Sequence, residues 1–164
     1  MDNELRREII MDNYQYPYNR EVPSNLEGYI KVNSNNESCI DNIDIYIKIE
    51  NDKIVDIKFM GEACAISTSA TSVMIKLLIG KTLDEVRSLY KEYSDMIENG
   101  TSYDNLEEAN AYGQIYKQQN RKHCAMLPWL GIIKALEDKN LRMLKWKFKL
   151  TKIEKYSSIM VLNE

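Results

Sequence analysis

Three cysteines and one aspartate are the residues of this chain best suited to chemistry: Cys39, Asp41, Cys64 and Cys124. Cys39 and Asp41 share the segment Ser38-Cys39-Ile40-Asp41, just ahead of an alternating stretch. Cys64 follows Gly61-Glu62-Ala63 and opens an apolar run, and Cys124 ends the cluster Arg121-Lys122-His123-Cys124 before another such run. Two of the three thiols therefore stand near expected helix N-termini, where unpaired backbone N–H groups and the helix dipole favour an anion and lower a thiol pKa. Thiols so placed serve as metal ligands or nucleophiles. Zinc takes four tetrahedral ligands drawn from thiolate, imidazole and carboxylate, and three Cys with one Asp satisfy both count and type. The same four groups could hold a [2Fe–2S] cluster, made labile by its oxygen ligand.

Each of these residues also has a plainer reading. A single cysteine is commonly a small buried hydrophobe. Asp41 also suits a turn at strand entry, and Arg121 and Lys122 suit a solvated helix start. His123, the only histidine of the chain, is adjacent to Cys124 and competes with Asp41 for the fourth ligand position, or else supports the site or lies on the surface. Three thiol contexts of this kind in one chain favour a metal site. Three thiolates and a carboxylate around a dication leave about two excess negative charges by formal counting. Arg121, Lys122 and His123 are near enough in sequence to relieve them.

The elements that must position these groups follow from periodicity. Leu5, Ile9, Ile10 and Tyr14 fall near one face of a helix over residues 4–14, which Pro17 stops. Strands are expected at residues 28–33, 42–50 and 53–60. Ile43, Ile45, Ile47 and Ile49 alternate with polar residues, and Asn51-Asp52 makes a tight turn into the third strand. A helix is expected over residues 64–79. Thr82 with Glu85 forms a capping-box pattern opening another that ends at Gly100, and Asp104 with Glu107 repeats the device. A last core helix is expected from about Ala125 to Asp138, with Pro128 tolerable only in its first turn. The fold class is α+β, an antiparallel meander with one face covered by helices.

Composition bounds the setting. A chain of 164 residues, 44% hydrophobic, is long enough for one ordinary core, and no Pro/Gly-rich break divides its centre. No apolar run approaches the roughly 20 residues needed to span a bilayer, and the opening Met1-Asp2-Asn3-Glu4-Leu5-Arg6-Arg7 is charged where a signal peptide turns apolar. A cytoplasmic location is expected, where an odd set of three cysteines stays reduced and free for metal or sulfur chemistry. A net charge of -3 gives no support to nucleic-acid binding, and no membrane partner is expected.

The run Ile9-Ile10-Met11-Asp12-Asn13-Tyr14, the Cys-x-Asp of residues 39–41, Gly61-Glu62-Ala63-Cys64-Ala65-Ile66-Ser67 and the basic cluster ending in Cys124 together resemble the U-type iron–sulfur cluster assembly family, the group of IscU, SufU and the NifU N-terminal domain. The resemblance covers roughly residues 4–138, taken as a SufU/IscU-like domain over 1–138. Residues 100–121 fit an insertion before the third cysteine, which makes the chain more similar to the zinc-dependent SufU branch than to the shorter IscU scaffolds. The resemblance implies an N-terminal helix, a three-stranded antiparallel sheet and helices packed on one face. It implies zinc held by Cys39, Asp41, Cys64 and Cys124, or alternatively a [2Fe–2S] cluster on the same groups. It further implies a sulfurtransferase-like role: Cys39 accepts persulfide sulfur from a PLP-dependent cysteine desulfurase of the SufS type after a histidine of that partner displaces it from the metal. Arg121 matches the family's basic residue near the site, and downstream iron–sulfur scaffold proteins are further candidate partners. A cluster scaffold, or a zinc-stabilised interaction module without transfer activity, are the alternatives.

Two departures from the family pattern carry expectations of their own. Cys-Gly-Asp is usual where this chain has Cys39-Ile40-Asp41, and Gly-x-Gly-Cys where it has Gly61-Glu62-Ala63-Cys64. Ile in place of Gly removes easy access to positive φ, so residue 40 is expected to take a different backbone or to carry strain. Both changes should stiffen loops that must move for Cys39 to leave a metal. Residues 139–164 form a basic extension outside the resemblance. Its stretch Leu144-Lys145-Trp146-Lys147-Phe148-Lys149-Leu150 alternates apolar and basic residues, which suggests an edge strand with a lysine-rich, solvated face. Tyr14, Tyr16 and Tyr18 around Pro17 are candidates for a partner contact.

Overall fold

The computed structural model describes residues 1–161, and the side chains of residues 1–140, 142–145, 147 and 149 among them. The order is helix α1 (Asn3–Gln15), strands β1 (Tyr29–Asn35), β2 (Asn42–Glu50) and β3 (Lys53–Glu62), helices α2 (Ala65–Leu78) and α3 (Leu83–Asn99), two 3₁₀ segments (Asp104–Tyr112 and Ile115–Lys117), and helix α4 (Gln119–Val161). The sheet is antiparallel in the order β1-β2-β3. Ile43, Ile45 and Ile47 of the central strand are fully buried, as are Ile54 and Ile57 of β3. Each such side chain contributes about 1.5–3 kcal/mol by leaving water. A bulge between Lys48 and Ile49 ends the strict alternation, so Ile49 is only half-buried. Asn51 and Asp52, at φ 50° and 58°, make the turn into β3.

Helix α2 lies in the middle of the molecule, buried from Ser67 to Ile75, and its small hydroxyl residues let neighbours approach. Ser72 Oγ donates to Asn13 Oδ1 at 2.7 Å and accepts from the Tyr18 N–H, which pins α1 and the segment after it to α2. Helix α3 has the expected reciprocal capping box of Thr82 and Glu85 and ends at Gly100 in the left-handed region. Helix α4 is tied to α3 by the Tyr93 ring, stacked on Trp129 with centroids 4.6 Å apart and donating its hydroxyl to Ala125 O. It meets the sheet at Gly131, where an added Cβ would lie 2.8 Å from Ile45 Cδ1.

Three expectations need correction. The second capping device, at Asp104 and Glu107, does not form: the segment is 3₁₀ with no side-chain cap and Glu107 at φ 48°. The Asn110 side chain bonds the Tyr103 N–H and the Tyr103 and Glu107 carbonyls, replacing a helical ladder with local bonds. The last core helix begins at Gln119 rather than Ala125, so Pro128 lies well inside it. The carbonyl that Pro128 leaves without a helical donor is that of Cys124, and Ser67 Oγ lies 3.1 Å from it. The stretch over residues 144–150 is helical, a continuation of α4, and not an edge strand. No Gly or Pro follows Gly131 before residue 150, and the intervening Leu, Lys, Arg, Met and Glu are good helix formers, so the helix propagates through the seven alternating residues. The side chains of Trp146, Phe148 and Leu150 lie outside those described, as do residues 162–164. No helix among the described residues is long and apolar enough to cross a membrane.

Candidate metal centre

The hairpin loop between β1 and β2, residues 36–41, presents the first two groups. Its turn closes through the Cys39 N–H to Asn36 O and the Asn36 N–H to Asp41 O, both 3.0 Å. Cys39 is exposed on this turn, while Asp41 points inward and is 1% exposed. Ile40, between them, is not among the residues with positive φ, and its side chain is 73% exposed. The loop has thus taken a different backbone, and nothing is strained or packed beneath the site at this position.

Cys64 is the N-cap of α2 and accepts from the Ser67 N–H at 3.4 Å. Gly61, three residues before it, sits at φ 137° with its Cα against β2; a Cβ there would lie 2.2 Å from Asn42 O. Ala63 occupies the position of the usual second glycine and packs, partly buried, against the core. Cys124 is buried in the second turn of α4. It is therefore not at a helix N-terminus as expected. Burial pushes its thiol up to about 12, aided by the adjacent Cys64 thiol and Asp41 carboxylate. Ionising it calls for a cation at the site.

Asp41 is held from both sides. Its Oδ1 accepts the Cys64 N–H at 2.7 Å, and its Oδ2 accepts the Ser67 hydroxyl at 2.6 Å. Burial opposes its charge, but these two bonds, with those from the Cys124 and Cys64 thiols, outweigh that and leave its carboxyl below the usual carboxylate range. Cys39 Sγ, an Asp41 carboxylate oxygen and Cys124 Sγ all lie within 4.8 Å of one another. Cys64 stands outside that group, with Sγ 3.7 Å from Asp41 Oδ2. The chemistry of this set, three thiols and a carboxylate held as the anion, fits a thiophilic dication such as zinc.

A cleft of about 440 Å³ opens onto Cys39 and Cys124, and Arg121 and His123 line it with Asn36, Ser38 and Asn120. Lys122 turns away from it to bond Glu98 Oε2 at 2.9 Å. The basic cluster therefore divides, with only two of its three side chains facing the site. His123 lines the cleft but is not within the group of atoms around Asp41. Ser67, fully buried, is the residue that sequence reasoning passed over. Its position three residues after a capping cysteine was the available signal. Tyr14, Tyr16 and Tyr18 are exposed, and the segment beyond them is fastened to the Cys64 loop by Arg20 Nη2 bonding Gly61 O at 2.9 Å.

Comparison with known proteins agrees with this architecture. The family described as NifU-like N terminal domain matches residues 5–144. The zinc-dependent sulfurtransferase SufU of Bacillus subtilis is 38% identical over 135 residues, covering 80% of this chain and 89% of that protein. The iron–sulfur cluster assembly scaffold protein IscU of Streptococcus pyogenes is 31% identical over 137 residues, covering 82% and 84%. The crystal structure of FiSufU from Fervidobacterium islandicum AW-1, described as a scaffold for the SUF system, superposes with a TM-score of 0.72 at 30% identity, over 83% of this chain and 99% of that one. The chain belongs to the NifU-like N-terminal domain family, that of the IscU and SufU iron–sulfur cluster assembly proteins.

Proposed function

We propose that this chain is a zinc-dependent sulfur acceptor that takes persulfide sulfur from a PLP-dependent cysteine desulfurase and passes it towards iron–sulfur cluster assembly in a reducing, cytoplasmic compartment. The observation that carries this reading is the contrast among the donors: Cys39 is exposed on a turn, whereas Asp41 and Cys124 are buried and Cys64 caps a helix. A thiol that must alternate between a metal and a partner's sulfur belongs on the most accessible of the three segments. Cys39, Asp41, Cys64 and Cys124 would hold the zinc. When bound, zinc keeps thiols deprotonated and protects them from oxidation.

The transfer itself is thiol exchange. The Cys39 thiolate attacks the outer sulfur of the partner's persulfide, a new S–S bond forms on Cys39, and the partner's S–S bond breaks with its cysteine leaving as thiolate. Arg121, in the cleft beside Cys39, offers a cation to the persulfide anion. The exposed Tyr14, Tyr16 and Tyr18 offer a contact surface joined to the Cys64 loop. Adding the chain to its cognate desulfurase should raise alanine release and place one extra sulfur on Cys39, read by mass spectrometry. No acceleration, or sulfur found only on Cys124, refutes the assignment. The resemblance to a scaffold at 31% identity supports a second reading, assembly of a [2Fe–2S] cluster on the same groups. Visible absorbance with bound iron in protein purified without oxygen would favour the scaffold; a colourless zinc protein would favour the acceptor.

Ile40 gives a graded test. With ordinary backbone and an exposed side chain, its effect on Cys39 acts through the stiffness of the turn. Ile40→Gly should speed single-turnover sulfur transfer severalfold while costing about 0.5–1 kcal/mol of stability through a freer unfolded chain. A variant no faster than wild type, yet quicker to lose zinc to a chelator, would show that loop stiffness does not limit release.

A further inference from the structure

Beyond accepting sulfur, the chain has the means to discharge it as sulfide without help from another protein. We infer that Cys124 acts as a resolving thiol, attacking a persulfide on Cys39 to release hydrosulfide and leave a Cys39–Cys124 disulfide. The inference rests on the reading of Cys39 as the sulfur acceptor.

Of the two other thiols, only Cys124 shares a close group of donor atoms with Cys39; Cys64 sits beside Cys124 and Asp41 instead. Cys39 and Cys124 Sγ lie within 4.8 Å of each other, whereas Cys64 stands outside that group, its sulfur accepting the Ser67 N–H at 3.4 Å and its thiol donating to Ser67 Oγ at 3.5 Å. The cleft of about 440 Å³ is lined by Cys39 and Cys124 but not by Cys64. It has room for an added sulfur atom, and Arg121 and His123 are among its lining residues. Cys39 is on a turn, so its sulfur can close the remaining distance to Cys124, which is fixed in α4.

The chemistry balances within the chain. The Cys124 thiolate attacks the inner sulfur of Cys39–S–SH; the Cys39–Cys124 S–S bond forms, the bond to the outer sulfur breaks, and that sulfur leaves with the electron pair as HS⁻. The outer sulfur is reduced to sulfide and the Cys124 sulfur is oxidised by the same two electrons, while the Cys39 sulfur, already at the disulfide level in the persulfide, keeps its oxidation state. One event per chain therefore needs no external reductant, and repeated events need a small-molecule thiol to reopen the disulfide. Attack on the outer sulfur instead would move the persulfide to Cys124 and release nothing.

The test loads the full chain with sulfur by two routes, the desulfurase with cysteine and inorganic polysulfide, then removes small molecules and follows sulfide and intact mass with and without a zinc chelator. The expected result is loss of the extra sulfur, about one sulfide per chain and a Cys39–Cys124 disulfide mapped by digestion. Cys124→Ser, and Cys124→Ala as a second variant, should keep the extra sulfur and release sulfide at least about tenfold more slowly. Retention of the extra sulfur by wild type both with and without chelator, or a disulfide mapped to Cys64, overturns the inference whether or not the variants fold. If polysulfide loads Cys39 and the disulfide forms but the desulfurase never loads it, the acceptor reading fails and the resolving role stands. If neither route loads Cys39, both fail.

Discussion

Cys39→Ala is expected to abolish sulfur acceptance while the chain still folds and docks. The side chain lies exposed on the turn over residues 36–41, so truncating it removes little buried contact, and stability should change by less than about 0.5 kcal/mol in the metal-free protein. The chemical loss is of another order, since no other thiol is both exposed and beside the cleft: Cys124 is 4% exposed and Cys64 half-buried under Ser67. Removing a nucleophile lowers turnover by about 10³-fold or more. Desulfurase turnover stimulated by the variant should fall to the level without the chain, and mass spectrometry should find no added sulfur. Binding to the desulfurase, measured by titration calorimetry, should stay within about threefold of wild type. Stimulation that survives in Cys39→Ala would assign acceptance to another thiol.

Cys124→Ser is expected to have the largest effect on stability, through the metal. Wild type should contain one zinc per chain by elemental analysis, and the variant little or none, because a serine hydroxyl does not replace a buried thiolate as a zinc ligand. Zinc bound by the folded chain alone adds its binding free energy to folding, and structural sites reach about 10–16 kcal/mol in small peptides. A loss of several kcal/mol is therefore expected, seen as a large drop in melting temperature. Chelation separates this from the packing effect. Wild type stripped of metal should fall to within about 1–3 kcal/mol of the variant, the residue being the cost of a hydroxyl at a buried position. Equal zinc content in the two proteins, or a melting temperature of wild type indifferent to chelator, would remove Cys124 from the ligand set.

How far the site was legible depended on the range of the interactions that build it. Cys64 at a helix start could be read from Gly61-Glu62-Ala63-Cys64 and the apolar run behind it, and the structure has it as the N-cap. Capping is decided within one turn of chain, which is why Thr82 with Glu85 was equally readable. Cys124 was misplaced by a turn and a half because Pro128 suggested a helix beginning just before it. The structure keeps Pro128 inside α4, with Ser67 Oγ near the carbonyl that proline frees, and that contact joins residues 57 positions apart. The same hydroxyl holds Asp41, so one buried serine links the loop of Cys39, the cap of Cys64 and the helix of Cys124.

By itself the sequence determined the three strands and their faces and the caps of α2 and α3, and it offered Cys39, Asp41, Cys64 and Cys124 as candidate ligands. Period-2 burial, capping and ligand chemistry are properties of a residue and its near neighbours. Only the tertiary structure decided that Arg121 and His123 face the cleft while Lys122 pairs with Glu98, that Ile40 lies exposed with ordinary backbone, and that Cys39, Asp41 and Cys124 bring their donor atoms within 4.8 Å of one another. It also decided that residues 144–150 continue a helix, since a seven-residue alternation does not outweigh a helix already nucleated and packed at Trp129. These outcomes turn on which segments meet across the fold, and spacing along the chain does not carry that information.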